Sequence, residues 1–235
     1  MNSLTKLKRE LVLSGSKSQA AIAQHFFKTG RGEYGEGDIF LGITVPKLRQ
    51  ISKSYGQLSF SDLKILLNSK IHEHRLLALF ILIRQYQKAD DSLKTKIFDF
   101  YRQNLSCVNN WDLVDLSAPN ILGDYLFNHP SQSEVVNQLV TSKNLWFRRV
   151  AIISTLAFIR HNNFRITIRL AKILLRDNHD LIHKAVGWML REVGNRDQKI
   201  ERQFLDRFAS QMPRTMLRYA IEKFPEEIRQ QYLKK

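Results

Sequence analysis

Residues 69–82 (SKIHEHRLLALFIL), 142–155 (SKNLWFRRVAIIST) and 177–190 (DNHDLIHKAVGWML) read alike: each begins with a polar turn or helix cap and runs into an apolar helix. Residues 108–121 (VNNWDLVDLSAPNI) join the set when Leu76, Asp115, Arg149 and Lys184 are placed in register, with spacings of 39, 34 and 35 residues. A helix pair recurring at this interval is the signature of an α-solenoid, in which each unit stacks on its neighbours and the helices of one side form a concave surface. The expected fold is all-α: an α-solenoid forming a single curved domain over residues 1–235, with a basic concave face.

The rest of the chain agrees. Only 10 Gly and 5 Pro interrupt it, most of it carries apolar residues at i, i+3, i+4 and i+7, and no alternating strand pattern stands out. Residues 76–83 are uninterruptedly apolar and should be buried on every side. Breaks are expected at Gly56 with Ser59, Ala89 with Asp90, Pro119, Pro130 with Ser131, Asn162 with Asn163, Gly194 with Asn195, Pro213 and Pro225, leaving helices of about 10 to 17 residues. One irregular piece, residues 30–42 (GRGEYGEGDIFLG), holds five of the ten glycines. Tyr34, Ile39, Phe40 and Leu41 give it something to bury, so it reads as an ordered loop between an N-terminal helical pair and the repeats.

With 235 residues, 43% hydrophobic and 25% charged, the chain can bury a sizeable core. A formal charge of +15 points to a polyanionic partner, nucleic acid or an anionic membrane surface. The longest apolar run falls far short of the roughly 18 to 20 residues that span a bilayer, which excludes a transmembrane helix. The N-terminal stretch MNSLTKLKRELVLSGSKSQ lacks the apolar core of a signal peptide. Cys107, the single cysteine, excludes an intramolecular disulfide or a cysteine-based zinc cluster, so a reducing, cytoplasmic location is expected.

Charge is uneven. Residues 141–235 hold 20 Lys+Arg and 9 Asp+Glu (+11), leaving 17 and 13 (+4) for residues 1–140. Between Glu134 and Asp177 there is no acid, while Lys143, Arg148, Arg149, Arg160, Arg165, Arg169, Lys172 and Arg176 fall inside. Such density self-repels unless something negative binds, and a row of phosphates fits; a solvated helix face is the plainer alternative. In the repeat register Trp111 lies four before the shared position, Asp115 and Arg149 on it, and Trp188 four after, so the four should share one face. The structural alternative is that Trp111 packs and Asp115 pairs with Arg149. Asn109 or Asn110 can cap the Trp111 helix and Asp112 can complement its dipole, with no functional role needed.

The segments NNWDLVDLSAPNILGDYLFNHP (109–130), KNLWFRRVAIIS (143–154) and HKAVGWMLREVG (183–194) resemble those of the AlkD-type DNA alkylation-repair glycosylases, which are built from HEAT-like repeats. The likeness runs from about residue 26 to 232. It implies that Trp111, Asp115, Arg149 and Trp188 line the cleft, with Arg148 the neighbouring alternative to Arg149. It also implies hydrolysis of the N-glycosidic bond of cationic N3- or N7-alkylated purines, the 3-methyladenine and 7-methylguanine class, in duplex DNA. Asp115 would stabilise the oxocarbenium-like sugar, the two tryptophans would face the cationic sugar or base, and Arg149 would hold a phosphate. The base would stay outside any pocket. Lys143, Lys184, Arg160, Arg165 and Arg191 complete the expected DNA contacts. Neither metal nor organic cofactor is required, and a monomer without an obligate protein partner is expected. The 30–42 segment departs from the shorter connection of the family.

Two further readings stay open: a non-catalytic DNA-structure or damage binder, and a HEAT-type scaffold for an acidic protein. Lys184 shares the register, which leaves a Schiff-base lyase conceivable. The remaining candidates are plain. His179 and His183 have i,i+4 spacing but no third ligand, His72 and His74 lie on opposite helix sides, and Cys107 reads as a small packing residue. Gly35 and Gly37 lack a phosphate-loop context, and Ser106 and Ser117 lack a nucleophile elbow.

Overall fold

Residues 76–83 sit in the middle of the longest helix, His72–Lys88, and every one of their side chains is buried. A helix that is apolar all round must be covered all round, and the first half of the chain is arranged to cover it. The structure, a computed structural model, describes residues 3–234, so the first two residues of the N-terminal stretch read above and Lys235 lie outside the described residues. The chain divides into two compact units, Met1–Ser117 and Ala118–Lys235.

The first unit contains α1 (Ser3–Ser14), α2 (Lys17–Phe26), α3 (Val45–Ser54), α4 (Phe60–Leu67), α5 (His72–Lys88), α6 (Asp91–Gln103) and α7 (Trp111–Ser117). Helix α5 is its axis, packed against α3, α4, α6 and α7. The second unit contains α8 (Asp124–Asn128), α9 (Glu134–Val140), α10 (Leu145–Ser154), α11 (Leu156–Arg160), α12 (Arg165–Ile173), α13 (Asp180–Gly194), α14 (Gln198–Phe208), α15 (Arg214–Ala220) and α16 (Glu226–Lys234). There α13 is central, packed against α10, α12, α14 and α15. Its buried stripe Ile182, Ala185, Val186, Met189, Leu190 and Val193 repeats every three or four residues, as one covered helix face requires. Among the described residues the sole β feature is a parallel bridge between Ile39 and Ile71. The fold is all-α, as the periodicity predicts.

Most expected breaks coincide with caps. Ser59 opens α4 with a reciprocal capping box to Asp62, Asp90 caps α6, and Asp197 caps α14. Pro119, expected to break a helix, does not. It lies in a π-helical segment, Ala118–Gly123, that continues α7 directly into α8. Proline has no N–H to donate, and a locally widened turn accommodates the missing bond without ending the helix. Conversely, α10 and α11 are separated at Thr155, where Ser154 and Thr155 hydroxyls donate to Ala151 O (2.8 Å) and Ile152 O (2.7 Å) and compete with the helical ladder. Several helices are therefore shorter than expected, α8 and α11 spanning five residues each.

Gly123 follows from packing. A Cβ there would run into the carbonyl oxygen of Ser154, a backbone atom that cannot swing away. Gly123→Ala is expected to destabilise the protein by about 1–3 kcal/mol, the cost of overpacking, read as a lower midpoint in chemical denaturation with an unchanged slope.

The 30–42 loop is ordered, but its anchors differ from those expected. Phe40 is buried, whereas Ile39 is 48% exposed and Tyr34 and Leu41 are half-buried. Ile39 is held by its backbone: its N–H donates to Lys70 O (3.0 Å) and its carbonyl accepts from His72 N (2.8 Å). The other anchors are charged. Asp38 is 7% exposed and bonded to α5, and Glu73 of α5 accepts from three consecutive loop amides.

Candidate nucleic-acid site

Helix α7 opens at Asn110, fully buried, whose carbonyl accepts from the Val114 amide (3.1 Å) and whose side-chain oxygen accepts from the Trp111 amide (2.8 Å). Asp112 accepts from the Leu113 amide (2.9 Å), a first-turn role, but its other oxygen lies 2.7 Å from His72 Nε2. The ring's second nitrogen, Nδ1, lies 3.1 Å from Asp38 Oδ2. Arg75 Nη2 reaches Asp38 Oδ1 at 2.7 Å while Arg75 Nη1 donates to Ser69 O (2.8 Å), and Asn110 Nδ2 reaches Asp38 Oδ2 at 3.4 Å. A line of alternating charge, Asp112, His72, Asp38, Arg75, therefore ties α7, α5 and the 30–42 loop together.

Burial by itself would lower the His72 pKa, but hydrogen bonds to Asp112 and Asp38 raise it to about 9. Burial likewise pushes the Asp38 carboxyl up, and His72 and Arg75 outweigh it and hold that carboxyl below its usual value. With a folded pKa above the unfolded one, His72 contributes stability that is complete below about 6.5 and is lost as the pH rises through about 9.

Aromatic rings extend this line. Trp111 stacks on Phe27 (centroids 5.2 Å apart, planes 16°), Phe27 on Phe40 (5.0 Å, 20°), and Phe40 on His72 (4.6 Å, 22°). Phe26, 61% exposed, meets Trp111 edge-on at 5.8 Å. Beside the stack opens a cavity of about 120 Å³ whose lining includes Phe27, Phe40, His72 and Asp112. Asp115 lies one turn beyond Trp111 on α7, and both are half-buried.

The other expected site residues belong to the second unit. Arg149 on α10 is 5% exposed and donates to Leu181 O on α13. Arg148 pairs with Asp177 (2.6 Å) and donates to Ser142 O and Lys143 O, each at 3.0 Å. Trp188 on α13 is half-buried, its indole N–H donating to Glu192 Oε1 (3.0 Å). Lys184 pairs with Asp180 (2.8 Å), and Arg191 with Glu222. Lys143, Arg160 and Arg165 are exposed, with Arg160 near Asn120 Oδ1 (3.4 Å). Trp111 and Asp115 thus share α7 in the first unit, while Arg149, Lys184 and Trp188 occupy the packed pair α10 and α13 in the second.

Reading the sequence alone missed the support beneath Trp111. Asp112 is more than a dipole partner, and His72, set aside as one of two unrelated histidines, is the hub of a buried network. His179 and His183 serve local geometry: His179 Nδ1 accepts from the Leu181 amide (3.1 Å), and His183 bonds Asp177 O. Among the described residues no helix is long and apolar enough to cross a membrane.

Comparison with known proteins places this architecture. The chain is similar in structure to a predicted DNA alkylation repair enzyme from Enterococcus faecalis, with a TM-score of 0.71 at 16% identity, covering 91% of this chain and 98% of that one. It is also similar to AlkD2 from Streptococcus mutans (TM-score 0.56, 17% identity, 95% and 97% covered). No match is found among curated protein sequences. At such identities the solved structures establish the fold. The family model described as DNA alkylation repair enzyme matches residues 7–224, and the chain belongs to that family.

Proposed function

We propose that the protein is a monofunctional DNA glycosylase that hydrolyses the N-glycosidic bond of cationic N3- or N7-alkylated purines in duplex DNA. The observation that carries the reading is α7 itself: a carboxylate, Asp115, one helical turn from an indole, Trp111, that stacks on Phe27 and meets the exposed ring of Phe26. A cationic base needs no protonation to leave. What the reaction asks of the protein is negative charge near the sugar as it becomes cationic. Asp115 is assigned that role, Trp111 and Trp188 the faces presented to the cation, and Arg149 a backbone phosphate. Lys143, Arg160 and Arg165, exposed in a stretch without acids, suit phosphate contacts, and Lys184, Arg148 and Arg191 are assigned there too. The deciding experiment is base release from N-methyl-N-nitrosourea-treated DNA with chromatographic identification of the freed base. Freed 7-methylguanine or 3-methyladenine supports the proposal, and no release from the wild type refutes it.

A second reading is a damage or DNA-structure binder without excision; because Arg149 is buried against Leu181 and Arg148 is paired with Asp177, the exposed Lys143, Arg160 and Arg165 would then carry most of the phosphate contacts. In that case abasic or junction DNA binds more tightly than plain duplex and nothing is released. Either reading makes binding salt-dependent. Arg165→Ala is expected to weaken binding uniformly across sequences and to reduce the slope of log K against log salt by about 1, as measured by fluorescence anisotropy from low to moderate salt; an unchanged slope removes Arg165 from the interface.

A further inference from the structure

We propose that His72, bridging Asp38 of the glycine-rich loop and Asp112 of α7, is a positioning residue that fixes the first turn of α7 and through it Trp111 and Asp115. This rests on the glycosylase reading above. The warrant is geometric. Both ring nitrogens of His72 lie within hydrogen-bond distance of carboxylate oxygens, 3.1 Å to Asp38 and 2.7 Å to Asp112. A carboxylate only accepts, so both nitrogens must donate, and only the imidazolium has two N–H groups. A neutral ring donates to one carboxylate and turns a lone pair toward the other.

The charged groups facing the ring are these two carboxylates and Arg75, whose Nη2 lies 3.5 Å from Nδ1 and 2.7 Å from Asp38. Phe27 and Phe40 cover the ring faces, and the oxygens of nearby Glu73 are occupied by loop amides. For a neutral ring the one alternative donor to Nδ1 among the described residues is Arg75 Nη2, which at 3.5 Å lies farther away than the Asp38 oxygen at 3.1 Å and is itself paired with Asp38. Asp38 also receives Asn110, the residue that opens α7. The clamp therefore holds the helix start from two sides, and Asp115 follows three residues after Asp112. The loop that the sequence singled out is thereby part of the site's foundation.

The consequence is a chemical step that depends on a proton the substrate never touches. The test is single-turnover release of 7-methylguanine from a duplex carrying one lesion, between pH 6.5 and 10, for wild type, Asp112→Asn and His72→Asn. The wild-type rate constant is expected to fall above about pH 9 while DNA affinity changes little. Asp112→Asn, which keeps shape and removes one charge, should move that fall to lower pH. His72→Asn should slow the step by about 10- to 100-fold at pH 7, the scale of a small misplacement of reacting groups, with DNA affinity nearly unchanged. A wild-type pH limb that stays in place in Asp112→Asn, or a rate lost only with the folded fraction, overturns the proposal.

A second readout needs no activity: the Trp111 indole N–H resonance, assigned by substitution, should titrate near pH 9 in the wild type and not in His72→Asn. A flat Trp111 resonance sinks the clamp. Absence of base release with Trp111 still titrating sinks the glycosylase reading alone.

Discussion

Asp115→Asn is expected to abolish base release while leaving the protein folded and bound to DNA. The substitution changes no volume, and Asp115 is half-buried, so the packing of α7 against α5 through Leu113 and Val114, both fully buried, is untouched. The chemistry is another matter. A unit charge about 4 Å from the developing cation, at an effective dielectric of about 20, is worth about 4 kcal/mol, or about 10³ in rate. The ground-state sugar carries no such charge, so the interaction acts on the transition state and appears in the rate constant instead of in affinity. Removing a carboxylate from a surface that meets phosphates should leave the dissociation constant the same or slightly tighter. Single-turnover release of 7-methylguanine together with an equilibrium binding isotherm measures both. Release within tenfold of wild type would falsify the assignment of Asp115 to the sugar.

How far the sequence reveals this arrangement depends on the range of the forces involved. The all-α fold, the burial of residues 76–83 and most of the expected breaks are local properties, set by periodicity and by caps such as Ser59, Asp90 and Asp197 that act within three residues. Pro119 was misleading because a π-helical segment, Ala118–Gly123, accommodates it without ending the helical run. The Trp111 and Asp115 pair was legible because both lie on one short helix. Their support was not. His72, Asp38 and Asp112 are separated by 34 and 40 residues in sequence, and only the folded chain brings them together. One signal was available: a histidine, a glutamate and an arginine heading an otherwise apolar helix, as in IHEHR, have to be paired when that helix is buried. An acid-bearing loop and an acid in the first turn of α7 were the partners to look for.

Glu73→Ala is expected to be the most destabilising substitution of this group. Glu73 is 3% exposed, and its carboxylate accepts from the amides of Leu41 (3.0 Å to each oxygen), Gly42 (2.8 Å) and Ile43 (3.3 Å). Alanine leaves those donors without an acceptor, at about 1–3 kcal/mol for each one that stays buried. Water can reach the half-buried Leu41 amide, so a total of about 3–5 kcal/mol follows, comparable to breaking a buried ion pair. In a chain of this length that lowers Tm by roughly 10 °C, measurable by circular dichroism without DNA; a fall of less than about 2 °C would show that the loop does not depend on the carboxylate. Glu73→Gln should lose less, because a single amide oxygen can take the place of Oε1, which accepts from all three amides, while its NH2 faces only the Leu41 amide that Oε2 shares. The loss also reaches α7. Gly42 sits at φ +77°, where a Cβ would run into the backbone of Ser16 and Ala20, so the loop has one seat, and a loop released from Glu73 takes Asp38 away from His72. Destabilised folding and slowed base release should therefore appear together in Glu73→Ala, whereas Asp115→Asn should show slowed release alone.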